Sequence, residues 1–378
     1  MKRDSSGDIK NNLAAVRERR GLSASELAKI VGVSRQAIYS IEAGTYTPNT
    51  TVSLRLARAL AVRVEELFSL PESLPKPMPR SLKATLIASA EKLQPGQPVQ
   101  LCQIDKQLIA AGAAPTGWCL PSSDAVISVG DRASGKVPLQ VYEEGSEFRN
   151  RILMAGCDPA MAVLARHLLP AGIELVLVHQ NSSGALALLK KGCVHIAGTH
   201  LRDVAAGQFN VSAIARLVPR ASVAAISFAT WEEGLITAAG NPRHIGGVED
   251  LARKDIAFVN REAGAGSRQV LDRQLKRLKV DRKRIRGYDR FAPGHLAAAW
   301  QVKTGTADCC IATAAAARVF GLSFVPLESA RYDLVIRRHH LQLPAIQTLL
   351  NTIVRSNFRR ELNRLAGYDM AGTGERVI

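Results

Sequence analysis

The stretch LSASELAKIVGVSRQAIYSIEAGTYTPN, residues 22–49, decides what the N-terminal part of the chain is. Ser23 followed three residues later by Glu26 forms a capping box, a pairing that satisfies otherwise orphaned N–H groups and opens a helix. Leu27, Ala28, Ile30 and Val31 supply that helix with an apolar side, and Gly32 permits a tight turn after it. Ser34 caps a second helix, in which Ile38 and Ile41 face inward. Arg35, Gln36, Tyr39 and Ser40 are left for its outer face. A short capped helix with polar residues in its first turns suits the major groove. Gln pairs bidentately with adenine, Arg with guanine, and Ala37 offers a methyl to thymine. The competing expectation is a small helical bundle that docks a protein.

Outward from this core, Ile9, Leu13 and Val16 predict one flanking helix, and Val52, Leu56 and Leu60 another. Residues 9–70 as a whole resemble the XRE/Cro-repressor family of helix-turn-helix domains, most closely in SRQAIYSIEAGTYTPN. By that resemblance Arg35 and Gln36 reach bases, while Tyr46 and Asn49 lie near phosphates. Ser34, Ala37, Tyr39 and Ser40 complete the expected DNA-facing set. The implied partner is a pseudo-palindromic operator in double-stranded DNA, bound by a homodimer.

The whole chain is consistent with a nucleic-acid partner. Its 378 residues contain 50 Lys and Arg against 33 acids, a net charge of +17, and a polyanion balances such a surplus, nucleic acid most commonly, with an anionic membrane surface as the rival. The first ten residues have no apolar stretch behind their charges, and no run of about 18 apolar residues occurs. A cytoplasmic protein without a membrane span is the expectation. Six scattered cysteines, none in a CxxC pair, predict buried thiols and no metal site.

After the head, Pro71, Pro75, Pro77 and Pro79 predict an extended linker over residues 71–83. Short strands such as VQLCQI and PLQVY predict a small β-rich module over 84–148. From residue 149 to 378, strand-like RILMA, ELVLVH, VHIAG, DIAFVN, DCCIA and SFVPL alternate with helical stretches. That alternation predicts an α/β body with a largely parallel sheet.

Four places in the body share one design, a strand end, a small-residue loop and a helix start. They are GCDPA with Cys157 and Asp158, QNSSGALALL with Asn181, Ser182, Ser183 and Gly184, NREAGAGSRQVL with Gly266, Ser267 and Arg268, and YDRFAPGHLAAAW with Gly294 and His295. Free N–H groups and the helix dipole favour anions at such starts. GAGS lacks the third glycine of a dinucleotide fingerprint, and no Walker-type lysine follows any glycine loop, so NAD and ATP are not expected.

AGCDPA, HIAGTHL, WEEGLITAAGNP, FVNREAGAGSRQ, GYDR and ELNRLAGYD together resemble the binding-protein-like domain related to periplasmic molybdate-binding proteins. The fold implied is a two-lobed α/β type II periplasmic-binding-protein-like body, so the chain reads as multidomain: helix-turn-helix head, β-module and sensing body. Crossings between lobes are expected near residues 229–234 and 305–310. The resemblance implies molybdate or tungstate as effector, held by neutral donors such as Ser182, Ser183 and Ser267. Asp158 departs from a simple anion site. Facing the cleft, it would repel a dianion unless Arg268 or Arg261 offset it, and an organic metabolite with a hydroxyl or amine would fit better.

His200 ends a strand within reach of the cleft, and Tyr332 either closes over a ligand or fills a strand edge. His195 alternates with apolar residues, as a satisfied core histidine does, while His339 and His340 lie in a basic run that reads as surface. LDRQLKRLKVDRKRIRG, residues 271–287, reads as a solvated basic helix and loop, with a second DNA contact or a docking face as the alternative. No nucleophile with its base is legible, so a regulator without a cofactor is expected, and an enzyme with a regulatory DNA-binding head is the rival reading.

Overall fold

The structure is a computed structural model that describes residues 9–69, 81–87, 94–113, 120–129, 136–142, 148, 150–203, 208–365 and 367–378. The chain divides into two compact units between residues 78 and 79. All four prolines expected to form the linker lie outside the described residues. A strand already runs over Ser81–Ile87, so the expected linker is too long at its C-terminal end. Its Pro-dense part stops at Pro79, after which nothing prevents main-chain pairing.

In the head, helices Leu13–Arg19, Ala24–Val31, Arg35–Glu42, Thr50–Leu60 and Val64–Leu67 enclose one core. Leu13, Leu27, Ile38, Ile41 and Leu56 are fully buried in it. Two apolar residues fall elsewhere than expected. Ile9 precedes the first helix and is exposed, and Ile30 is exposed on the second. An eight-residue helix turns only a narrow stripe inward, and Leu27, Ala28 and Val31 fill it.

In the second unit, strands Ser81–Ile87, Pro98–Ile104, Gln107–Gly112, Ala125–Ile127 and Lys136–Val141 close into a barrel. Alternate residues such as Val99, Leu101, Ile127 and Leu139 fill it. The barrel is not an isolated bead. Ile87, Cys102, Ile104, Ile109 and Ala111 share a core with Leu153, Ala155 and Val335 of the body. Arg151 seals the edge by pairing with Asp124 at 2.6 Å and Glu174 at 2.7 Å.

The body is one nine-stranded sheet spanning two lobes. Two 15-residue strands, Val223–Thr237 and Ser323–Arg337, run antiparallel along their length and cross from one lobe to the other. The first lobe adds Ile196–Thr199, Arg151–Gly156 and Glu174–His179 to one side of this pair. The second adds Cys309–Thr313, Phe258–Arg261 and Phe291–Ala292 to the other. The sheet is therefore mixed rather than largely parallel: the outer strands run parallel, but both crossing strands pair antiparallel with their neighbours.

The first crossing lies where expected. The second does not, because residues 305–310 hold a turn at Gly305 and the start of an internal strand of the second lobe. Short apolar runs such as SFVPL do not disclose how far a strand continues. Here it extends through polar residues to Arg337.

Candidate functional site

The recognition helix of the head is built from local signals. Ser23 Oγ accepts from the Glu26 N–H, and the Glu26 carboxylate accepts from the Ser23 N–H. Gly32 takes φ +75°, a left-handed conformation that costs glycine least. Ser34 Oγ accepts from the Ala37 N–H at 3.0 Å and starts the helix Arg35–Glu42. Arg17 anchors its far end through Glu42, at 2.6 and 3.2 Å. Arg35, Gln36 and Tyr39 are exposed on its outer side, with Ala37 and Ser40 partly so. The Arg35 guanidinium lies over the Tyr39 ring and donates to its hydroxyl at 3.0 Å. Tyr46 is exposed on the following loop, where the Ser40 carbonyl accepts from its N–H. Asn49 has a structural duty as well, because its side-chain oxygen caps the helix Thr50–Leu60.

In the body, the four loops converge at the junction of the lobes. Three helices begin where expected, at Ser182, Gly266 and Gly294. The fourth begins at Met161, so Pro159 does not occupy the first helical position. Asp158 instead accepts from the Ala160 N–H at 2.8 Å and from the Tyr368 hydroxyl at 2.5 Å, both on one oxygen. Its other oxygen is buried and unpartnered among the described residues. Burial pushes its pKa up to about 6, against the hydrogen bonds from Tyr368 and Ala160.

His200 is the hub. Its Nδ1 lies 3.2 Å from Ser182 Oγ and 3.9 Å from Cys157 Sγ, and its Nε2 lies 3.2 Å from Glu233 Oε1. Burial opposes a charge on this ring, but Cys157 and Glu233 outweigh it and push the pKa up to about 10. His295, from the opposite lobe, places Nε2 3.6 Å from Cys157 Sγ. Its own pKa is driven well down by burial, with Arg261 and His200 adding to the effect. Trp231 and Tyr332 pack their rings against His200 at 5.3 and 6.0 Å between centroids.

The lobes meet closely. The Asn181 side chain caps its own helix and also donates to the Ala263 carbonyl across the cleft, at 3.2 Å. A Cβ on Gly266 would fall 2.4 Å from the His200 ring, and one on Gly198 would fall 1.7 Å from the Tyr332 hydroxyl. Tyr332 thus neither closes over the cleft nor fills an edge. It lies fully buried on a crossing strand in the middle of the sheet.

Several expected ligand residues have other duties. Ser267 donates its hydroxyl proton to Glu233 at 3.1 Å, and Ser182 Oγ accepts from the His200 N–H at 3.1 Å. Ser183 and Gly184 are half-buried at the same helix start. Arg268 turns to the Arg261 carbonyl and the Tyr288 ring, and Arg261 is the buried cation. The Arg261 guanidinium pairs with Glu262 through two nitrogens, at 3.0 and 3.1 Å, leaving Nη1 unpartnered among the described residues. Glu233 was not among the residues expected at the cleft from sequence, and Arg261 was expected there only as an alternative to Arg268. The available signal was a carboxylate inside the apolar run VAAISFATWEEGLIT, since a charge on a buried strand needs a reason.

Other histidines resolve simply. His195 is a satisfied core histidine whose Nδ1 accepts from the Leu153 N–H at 3.1 Å. His340 is buried rather than at the surface, 3.0 Å from Asp105 of the barrel, while His339 beside it is exposed. The basic run cannot reveal this, because barrel packing covers one of two adjacent rings. Five cysteines are free and buried; Cys119 lies outside the described residues. No described helix is long and apolar enough to cross a membrane.

Comparison with known proteins places this architecture. Residues 165–354 match the family model of the PBP superfamily domain. The chain belongs to that superfamily. Residues 13–67 match a helix-turn-helix family model, so an XRE-like head precedes the PBP-like body. The uncharacterized protein YvgK of Bacillus subtilis is 33% identical over 248 residues, covering 65% of this chain and 80% of that one. The uncharacterized HTH-type transcriptional regulator YgzD of the same organism is 36% identical over 64 residues, 17% of this chain and 97% of its own. Among solved structures, a putative phosphate ABC transporter substrate-binding protein with bound phosphate from Clostridium perfringens aligns at a TM-score of 0.44. It is 14% identical, covering 58% of this chain and 99% of that one.

Proposed function

We infer that this chain is a one-component transcriptional regulator: the head binds operator DNA and the cleft of the body binds a small effector that changes operator affinity. The head's exposed Arg35, Gln36 and Tyr39 on a capped helix support the first half. One observation carries the second half. Asp158 Oδ2, Trp231 Nε1, Glu233 Oε2, Arg261 Nη1, His295 Nδ1 and the Tyr332 hydroxyl are buried at the lobe junction without partners among the described residues. A buried unpartnered polar group costs about 1–3 kcal/mol, so a concentration of them marks a place built for a ligand.

The same set supports one class of effector. Arg261 Nη1, Trp231 Nε1 and Tyr332 offer donors to an anionic group, while Asp158 and Glu233 demand donors from the ligand. A small organic acid with a hydroxyl or amine answers both. Bare molybdate or tungstate would set its charge against Glu233. The regulator acts as a homodimer on a two-fold operator in the cytoplasm, where the DNA is. Effector binding shifts the DNA-binding state only through unequal affinity for the two states.

A thermal-shift panel of molybdate, tungstate, sulfate, phosphate and small hydroxy and amino acids tests the cleft. A ligand present at about 100 times its Kd adds roughly 2.7 kcal/mol. Gel-shift titration with the ligand that registers then tests coupling; equal operator affinity with and without it would sink the sensing role.

A further inference from the structure

We propose that Cys157, His200 and His295 form a binding site for a thiophilic d10 cation, zinc(II) foremost, with an open coordination position where the anionic effector binds. This rests on the reading of the cleft as the effector site and gives that site a chemistry.

Geometry comes first. Cys157 Sγ lies 3.6 Å from His295 Nε2 and 3.9 Å from His200 Nδ1, and the three donor atoms all lie within 4.8 Å of one another. A tetrahedral zinc with bonds of about 2.3 Å to sulfur and about 2.0 Å to nitrogen holds such donors roughly 3.6 Å apart. All three residues are buried. Three protein ligands with a vacant fourth position are what reactive or ligand-exchanging zinc sites use, whereas purely structural ones close with four.

The surroundings agree. His200 places its other nitrogen 3.2 Å from Glu233 Oε1, an ion-pair distance at which a carboxylate can orient a metal-bound imidazole. Glu233 is itself held by Ser267. Ser182 Oγ lies 3.2 Å from the same Nδ1 and is the competing partner for it. Charge points the same way. Glu262 already pairs with Arg261, and Glu233 pairs with His200, so once His200 gives up its ring proton to bind a metal, Glu233, Asp158 and the Cys157 thiolate are left without a compensating cation among the described residues. A dication balances them, and its open position then takes an oxygen of the anionic effector beside the Arg261, Trp231 and Tyr332 donors.

The absence of a CxxC pair does not bear on this site. Its ligands stand 43 and 95 residues apart, on three loops of two lobes, and only lobe closure assembles them.

Cobalt(II) titration of the full-length protein, followed by zinc displacement, tests the proposal. One cobalt per chain is expected, with a thiolate charge-transfer band in the near ultraviolet and tetrahedral bands in the visible. Cys157→Ser should abolish the charge-transfer band, and His295→Gln should weaken zinc binding by at least about tenfold. Cys193→Ser, at a buried thiol of the first lobe outside the cluster, should change neither. Circular dichroism of each variant guards against loss of fold. No thiolate band in the full-length protein, or a band that survives Cys157→Ser, overturns the assignment. The effector-site reading fails separately: it stands without the metal if an anion-induced thermal shift persists in Cys157→Ser and is lost in Arg261→Lys.

Discussion

The head and the cleft bring residues together in opposite ways. In the head, the groups offered to DNA lie within two turns of one helix and the loop after it, exposed, and their backbone is set by caps a few residues away. In the cleft, Cys157, Ser182, His200, Glu233, Arg261 and His295 come from separate loops and strands of two lobes, and each is buried. A surface reader needs only a rigid local scaffold. A buried sensor needs the entire sheet to form before any two of its groups meet, and its polar atoms then depend on one another or on a ligand.

Perturbations that ignore this distinction should be the largest. Ile38→Ala removes a fully buried side chain from beneath the recognition helix. It should cost about 2–5 kcal/mol in denaturant unfolding of the head and abolish operator binding near the head's melting temperature. A head that kept its stability would mean that the exposed face does not depend on that core.

Next comes the polar interior of the body. His195 is buried and neutral, its pKa pushed down to about 4 by burial and then by His340, with Asp105 opposing. Between pH 6.5 and about 4 the unfolded chain takes up a proton that the folded chain refuses. Stability should therefore fall as pH drops through that window and level off below it, by about 3 kcal/mol for this group. Asp158 acts in the opposite sense, since its raised pKa favours the folded state as pH falls below about 6. Comparing His195→Gln with the parent protein isolates the histidine: the variant should lack this part of the acid destabilisation. Parallel pH profiles for the two would contradict the assignment.

Smaller effects should follow on the exposed helix. Gln36→Ala should leave unfolding unchanged within about 0.5 kcal/mol yet remove about 1–3 kcal/mol of discrimination at one base pair, read by gel shifts on operator variants. Uniform weakening across all sequences would reassign Gln36 to the backbone. Ser34→Ala removes the cap that accepts from Ala37 and should cost the head about 1 kcal/mol. A loss of DNA affinity much greater than that would show that Ser34 touches DNA as well as its helix.

Legibility differed accordingly. The capping box, the glycine turn and the second cap all lie within twelve residues and were readable. In the body, the helix starts at Ser182, Gly266 and Gly294 were readable too, because small residues after an apolar run punctuate the chain locally. The role of each residue there was not. Ser267 reads as an anion donor in its own string, but in the fold its proton goes to Glu233, 34 residues away. Arg268 and Arg261 read equally well as the balancing cation, but in the fold Arg268 turns to the Arg261 carbonyl and the Tyr288 ring and leaves that position to Arg261. His339 and His340 are indistinguishable neighbours until the barrel covers one of them.

The sequence by itself determined the head, its recognition helix and the loops that end at the cleft, because caps, turns and apolar spacing act over a few residues. Only the tertiary structure decided which polar groups are buried together, where the second crossing strand runs and that a thiol meets two imidazoles. Those outcomes depend on lobe closure and strand pairing between residues far apart in the chain, where local preference has no reach.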